Sequence, residues 1–111
     1  MTGTDSMGMN YLNCMKRGGS VYILTNIANN VLYIGVTSDL LRRLDEHKTG
    51  KYPDAFTSRY NCNKLVYYEG FNNIEEAIAR EKQLKNWKRQ WKLNLINEFN
   101  AEWKDLSGNV E

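Results

Sequence analysis

Apolar and polar positions along this chain follow two different periods, and each change of period marks an element. From Ser20 to Thr25 the β-formers Val21, Tyr22 and Ile23 predict a strand. Asn26 to Asn30 carries turn chemistry, with Asn29-Asn30 able to take positive φ. Val31 to Val36 predicts a second strand, so the two segments form a hairpin. Directly opposed residues share a face. Tyr22 and Tyr33 therefore point to one side of the sheet if the facing residue numbers sum to an odd number.

Thr37-Ser38-Asp39 then offers helix N-caps, and Leu40 to Lys48 predicts a helix ended by Gly50. Leu40, Arg43, Leu44 and His47 fall on one face of it, so an Arg and a His share the stripe that meets the sheet. Lys51 to Asn61 predicts a polar loop, with Pro53 and the run Ala55-Phe56-Thr57-Ser58-Arg59. Lys64 to Phe71 predicts a third strand. A long helix follows, opened by a capping pair of Asn73 and Glu76. Its apolar face reads Ile74, Ala77, Ile78, then a carboxylate, Glu81, then Leu84 and Lys85. A last helix from about Arg89 to Phe99 is expected to bury Trp91, Leu95 and Ile96, with Trp87 also core. Trp103 and Leu106 are expected to fold back as an anchor. The order β-β-α-β-α-α predicts an α+β fold, a small three-stranded, mostly antiparallel sheet flanked by helices. Residues 1–19 read as a flexible N-terminal tail, 20–106 as the folded domain and 107–111 as a C-terminal tail.

Composition narrows the class. The 111 residues, 41% hydrophobic and 25% charged, suit one globular domain and disfavour two-domain enzymes and solenoids. No apolar run is long enough to span a membrane, and no secretory leader is evident. Cys14 and Cys62 have no metal-binding spacing and read as free thiols in a reducing, cytoplasmic setting. The net charge of +2 is nearly balanced but unevenly spread. Arg80 to Lys92 holds six basic residues and one acid, Glu81. Lys85, Lys88, Arg89 and Lys92, with Arg59 in the loop, are candidates for sequence-independent contact with a phosphate backbone.

The polar residues that the pattern sends inward are Tyr22, Tyr33, Arg43, His47 and Glu81. If they converge, they supply what phosphodiester hydrolysis needs: a proton acceptor for water, a cation for the phosphoryl oxygens and a carboxylate for a metal. A single carboxylate suits Mg²⁺ or Mn²⁺, since Mg²⁺ keeps several of its waters. Arg43 suits planar contact with phosphate. A tyrosine serves as a base only beside a cation or metal-bound water.

These residues spell a resemblance. Val21-Tyr22-Ile23, with Tyr33-Ile34-Gly35 eleven positions on, resembles the GIY-YIG nuclease superfamily, with Ser20-Val21-Tyr22 in place of Gly-Ile-Tyr. Arg43, His47 and Glu81 fall where that family has its helix Arg, its His and its metal-binding glutamate. The likeness runs from Ser20 to about Ile96. The trailing Asn100-Ala101-Glu102-Trp103 is similar to the small stand-alone members, which are similar to the N-terminal nuclease domain of the excision-repair incision subunit. The resemblance implies a DNA endonuclease using one divalent metal, Mg²⁺ or Mn²⁺, in repair or recombination. It implies that Tyr22 accepts the proton of the attacking water and Tyr33 orients water or phosphate. It implies that Arg43 stabilises the transition state, His47 contacts phosphate or assists proton transfer, and Glu81 ligates the metal. Asn94 is the nearest counterpart of an asparagine that the family often has after the glutamate helix. Targeting would come from a protein partner or from DNA shape. The alternative is a non-catalytic nucleic-acid-binding module with the same fold that acts through a partner.

Overall fold

The computed structural model describes residues 18–110. Three strands form one antiparallel sheet: β1 (Gly19–Thr25), β2 (Leu32–Thr37) and β3 (Lys64–Phe71), in the order β2-β1-β3. The helices are α1 (Leu40–Thr49), α2 (Phe56–Arg59), α3 (Ile74–Asn86) and α4 (Arg89–Phe99). A single 3₁₀ turn follows at Ser107–Asn109. The expected α+β class and element order hold. No helix among the described residues is long and apolar enough to cross a membrane.

β1 lies in the centre and is buried along its whole length. Its alternating side chains therefore build two cores. On one face Tyr22 and Leu24 pack with Leu40 and Leu44 of α1, and with Cys62, Leu65 and Val110. On the other, Val21 and Ile23 pack with Ile34, Val66 and Tyr67, against Ala77 and Leu84 of α3 and Ile96 of α4. Full burial of a Leu or Ile side chain is worth roughly 1.5–3 kcal/mol, so each helix is held by a few such contacts.

Local chemistry sets the boundaries. The Asp39 side chain accepts from the Arg42 N–H at the start of α1, and Gly50 closes it with φ 68°. Asn73 caps α3 by accepting from the Glu76 N–H. In the hairpin turn Asn29 takes φ 60°, and the Asn26 side chain accepts from the N–H groups of Asn30 and Val31. Tyr22 pairs with Gly35 and Leu24 with Tyr33, so the odd-sum register holds and both tyrosines share a face.

Several expectations need correction. The loop after Gly50 contains α2, because Phe56 and Thr57 find partners across the pocket described below. β1 begins at Gly19, and Gly18 and Gly19 are buried: a Cβ on Gly19 would sit 2.8 Å from the Ala77 side chain. Trp91 is 51% exposed rather than core, since α4 turns Ile96 to the sheet instead. Packing also continues past Leu106, because Val110 is buried against Leu65 and Tyr22. Asp105 holds that segment by accepting from the Leu65 and Ser107 N–H groups and from Lys48. The remaining N-terminal residues, with Cys14, lie outside the described residues. Cys62 is free and buried.

Gly35 is the more tightly enclosed of the two hairpin glycines. A Cβ there would lie 2.5 Å from the ring and hydroxyl of Tyr22, so the phenol fits only over a bare backbone. Gly35→Ala is expected to destabilise the fold by about 1–3 kcal/mol through overpacking. A lowered urea midpoint would show it, and an unchanged midpoint would mean that Tyr22 has room to move.

Candidate active site

α1 follows β2 after two residues and lays its Arg43/His47 stripe over the sheet face that carries both tyrosines. The Tyr22 hydroxyl lies 3.2 Å from His47 Nε2, and His47 Nδ1 lies 2.8 Å from Thr57 Oγ1 of α2. The Tyr22, Tyr33 and His47 rings meet with centroids 5.8–6.2 Å apart. Strand, helix and loop are thus tied together by one imidazole.

Burial and the neighbouring Tyr33 raise the Tyr22 phenol well above its ordinary range, only partly opposed by Arg43. Burial and Arg43 hold the His47 imidazole below its ordinary 6.5, against an upward pull from Glu46. Both groups are therefore neutral at pH 7. We assign the tautomer in which Nδ1–H donates to Thr57 Oγ1 and Nε2 accepts from the Tyr22 hydroxyl, which pairs both ring nitrogens.

Beside this cluster opens a pocket of about 100 Å³, lined by residues that include Tyr33, Arg43, Glu46, His47 and Thr57. Arg43 Nε lies 3.5 Å from Glu46 Oε1, yet it is buried and makes no hydrogen bond. Glu46, only 11% exposed, also pairs with Lys51 at 3.4 Å. The pocket thus holds a guanidinium whose inner N–H is poorly satisfied, a costly state for a buried donor that a ligand oxygen would relieve. Tyr22 is 0% exposed and stands behind this pocket rather than in its wall, so its hydroxyl is not open to a water there.

Glu81 sits on α3, which packs on the opposite sheet face, and it is not part of the Arg43 pocket. Its side chain is 14% exposed and pairs with Lys85 at 2.7 Å. Lys85 joins Tyr33, Phe56 and Lys92 in a second groove of about 300 Å³, and Tyr33 and Phe56 line both. Glu81 is thus joined to this second groove by its ion pair with Lys85. Among the described residues no three His, Cys, Asp or Glu side chains cluster as a metal cage. One carboxylate with water and phosphate oxygens is nonetheless a donor set that Mg²⁺ accepts, so Glu81 fits that role.

The other expected DNA contacts are distributed unevenly. Lys85, Lys88 and Arg59 are exposed, and Lys92 is partly buried in the second groove. Arg89 donates to the Asn30 carbonyl and so braces α4 against the hairpin turn. Asn94 accepts from Gln90 in a separate groove with Trp87 and Trp91, away from the tyrosines. Glu46, Phe56 and Thr57 carry no role in the sequence reading. Glu46 had a signal, lying one turn after Arg43 on the same helix. The Thr57 contact crosses a loop and had none.

With this geometry in view, the likenesses to known proteins are informative. Residues 18–94 match the GIY-YIG catalytic domain. The chain belongs to the GIY-YIG family. Within it, the chain is similar to UPF0213 proteins. It is 37% identical to one from Syntrophus aciditrophicus (strain SB) over 78 residues, covering 70% of this chain and 88% of that protein. It is 38% identical to one from Streptococcus agalactiae serotype V over 82 residues, covering 74% and 91%. The solution NMR structure of a UPF0213 protein from Bacillus halodurans superposes with a TM-score of 0.51 at 29% identity, covering 78% of this chain and 90% of that one.

His47 is the one histidine of the chain, so its titration can be followed without overlap. Its ring C–H resonance is expected to titrate with a midpoint below 6.5. The unfolded imidazole takes up its proton near 6.5 and the folded one only at lower pH, so stability falls as the pH drops below about 6.5. A midpoint at or above 6.5 would contradict the neutral pair.

Proposed function

We propose that the protein is a metal-dependent endonuclease that hydrolyses DNA phosphodiester bonds, serving DNA repair or recombination in the cytoplasm. The observation that carries this reading is Arg43. A partly exposed guanidinium, whose buried Nε makes no hydrogen bond and only a 3.5 Å ion pair with Glu46, faces a pocket shared with Tyr33 and His47. A phosphodiester oxygen is the partner such a group takes best, because the planar fork matches its geometry.

Arg43 exchanges Glu46 for the scissile phosphate and holds the extra charge that develops on its oxygens. Tyr33, at the junction of the two grooves, orients the phosphate. His47, Tyr33, Arg43 and the Gly35 backbone surround the Tyr22 hydroxyl, and in this reading Arg43, in turning to the phosphate, is the group that admits the water. A phenol with so high a pKa does not act as a phenolate. It takes the proton of the attacking water while passing its own to His47 Nε2. The water oxygen bonds to phosphorus as the bond to the leaving sugar oxygen breaks, the electron pair staying on that oxygen, which then takes a proton from solvent. Thr57 keeps Nε2 turned towards Tyr22 throughout. Glu81 would hold Mg²⁺ or Mn²⁺, which when bound supplies charge neutralisation and a more acidic water. Lys85, Lys88 and Lys92, with Arg59 and Arg89, meet neighbouring phosphates.

A second reading, a nucleic-acid-binding module that acts through a partner, is favoured by one contact: Lys85 occupies a Glu81 oxygen at 2.7 Å. Cleavage separates the two. Purified protein is expected to nick DNA with Mg²⁺ or Mn²⁺. Arg43→Ala should slow it by about 10²–10³-fold, the usual loss on removing one oxyanion donor. Glu81→Ala should remove the metal response. Equal cleavage by Glu81→Ala, or no cleavage of duplex, single-stranded or branched DNA with either metal, would overturn the nuclease reading.

A further inference from the structure

α2 carries an aromatic shelf with no role in the fold's two cores. Phe56, at 45% exposure, stacks on Tyr33 with centroids 6.0 Å apart and planes at 29°. Tyr60, one turn later, lies against Phe56 at 4.7 Å, and Tyr52 stands at the lip of the Arg43 pocket. All three rings are about half exposed. Single exposed aromatics are common, but a contiguous group beside a pocket marks a binding surface.

Its surroundings identify the occupant. Phe56 lines the Arg43 pocket on one side and, on the other, the groove that carries Lys85 and Lys92. Lys51 Nζ lies 5.6 Å from the Tyr52 ring centre. Cations thus flank an aromatic surface on both sides, which is the alternation of a nucleic-acid strand: phosphate, base, phosphate. A groove of about 300 Å³ has room for a planar ring, since an apolar cavity of about 150 Å³ holds benzene. A paired base within a duplex has its faces covered by its neighbours, so only an unpaired base offers a face to the shelf.

We infer that Phe56, supported by Tyr33 and Tyr60, is a stacking platform for an unpaired nucleobase next to the scissile phosphate, and that the substrate is DNA single-stranded at the cut. This rests on the Arg43 pocket as the phosphate site. Phe offers no hydrogen bond, so the platform is tolerant of sequence. It selects strand state rather than base identity.

Binding in EDTA separates this inference from catalysis. Fluorescence anisotropy is measured with a labelled short oligothymidine and with a duplex of equal length. The wild type is expected to bind the single strand more tightly. Phe56→Ala should weaken single-strand binding by about tenfold and duplex binding by less than about twofold. Phe56→Trp should restore it, and Tyr60→Ala should give a smaller loss on the single strand alone. If Phe56→Ala fails to fold by circular dichroism, Phe56→Trp and Tyr60→Ala decide. Equal wild-type affinity for both forms, no binding to either, or variants that weaken both alike would overturn the inference. Selective single-strand binding without cleavage in Mg²⁺ would sink the nuclease reading and leave the platform standing. Cleavage indifferent to Phe56→Ala would sink the platform and leave the nuclease reading.

Discussion

The contact on which the rest of this molecule depends is the Tyr22 phenol, laid over the bare backbone of Gly35 and hydrogen-bonded to His47. Tyr22 belongs to the central strand, so its position is set by both strand pairings. Its hydroxyl fixes the imidazole of α1, and the other side of that imidazole holds Thr57 of α2. A buried Tyr–His–Thr chain is stable only if every member is satisfied, and in a low-dielectric setting it then rigidifies what it joins. The glycine of the second motif is therefore a packing requirement as much as a turn or flexibility requirement.

Electrostatics divides the site into a neutral interior and a charged wall. Tyr22 and His47 are uncharged because burial penalises the ionised form of each. Arg43 and Glu46 carry the charge at the pocket, but at 3.5 Å and without a hydrogen bond they are an exchangeable pair. Further out, Lys85 plays two parts, balancing Glu81 and lining the groove beside Phe56. The net charge of +2 hides this arrangement, in which Lys85 of α3 and Lys92 of α4 line the groove beside β2 while Arg80 pairs with Glu69 of β3.

Much of the fold was legible in the sequence because it is written in local periods and caps. The Leu40/Arg43/Leu44/His47 stripe, the Asn73–Glu76 cap and the parity of the hairpin all lead to the observed structure. The family-motif residues were legible too, and Tyr22, Tyr33, Arg43 and His47 do come together. What escaped is what depends on distant contacts. Trp91 and Ile96 are both apolar residues on one helix, and only the docking angle of α4 decides which is buried. Val110, alone in a polar segment, packs because Asp105 pins the chain to β3. That Tyr22 is fully buried among its partners on one face, and that Glu81 lies on a helix packed against the other face and paired with Lys85, follow from how the helices dock, which no periodicity records.

The central claim is that the Tyr22 hydroxyl, through His47, is the proton route of the reaction and not merely a filler of the core. The most direct test removes that one oxygen. Single-turnover cleavage of single-stranded DNA in Mg²⁺ should fall by about 10²-fold or more in Tyr22→Phe, on the scale of general-base catalysis. The ring, its packing over Gly35 and the metal-free affinity for the strand should stay as they are. A Tyr22→Phe protein that binds normally and cuts at the wild-type rate would contradict the account.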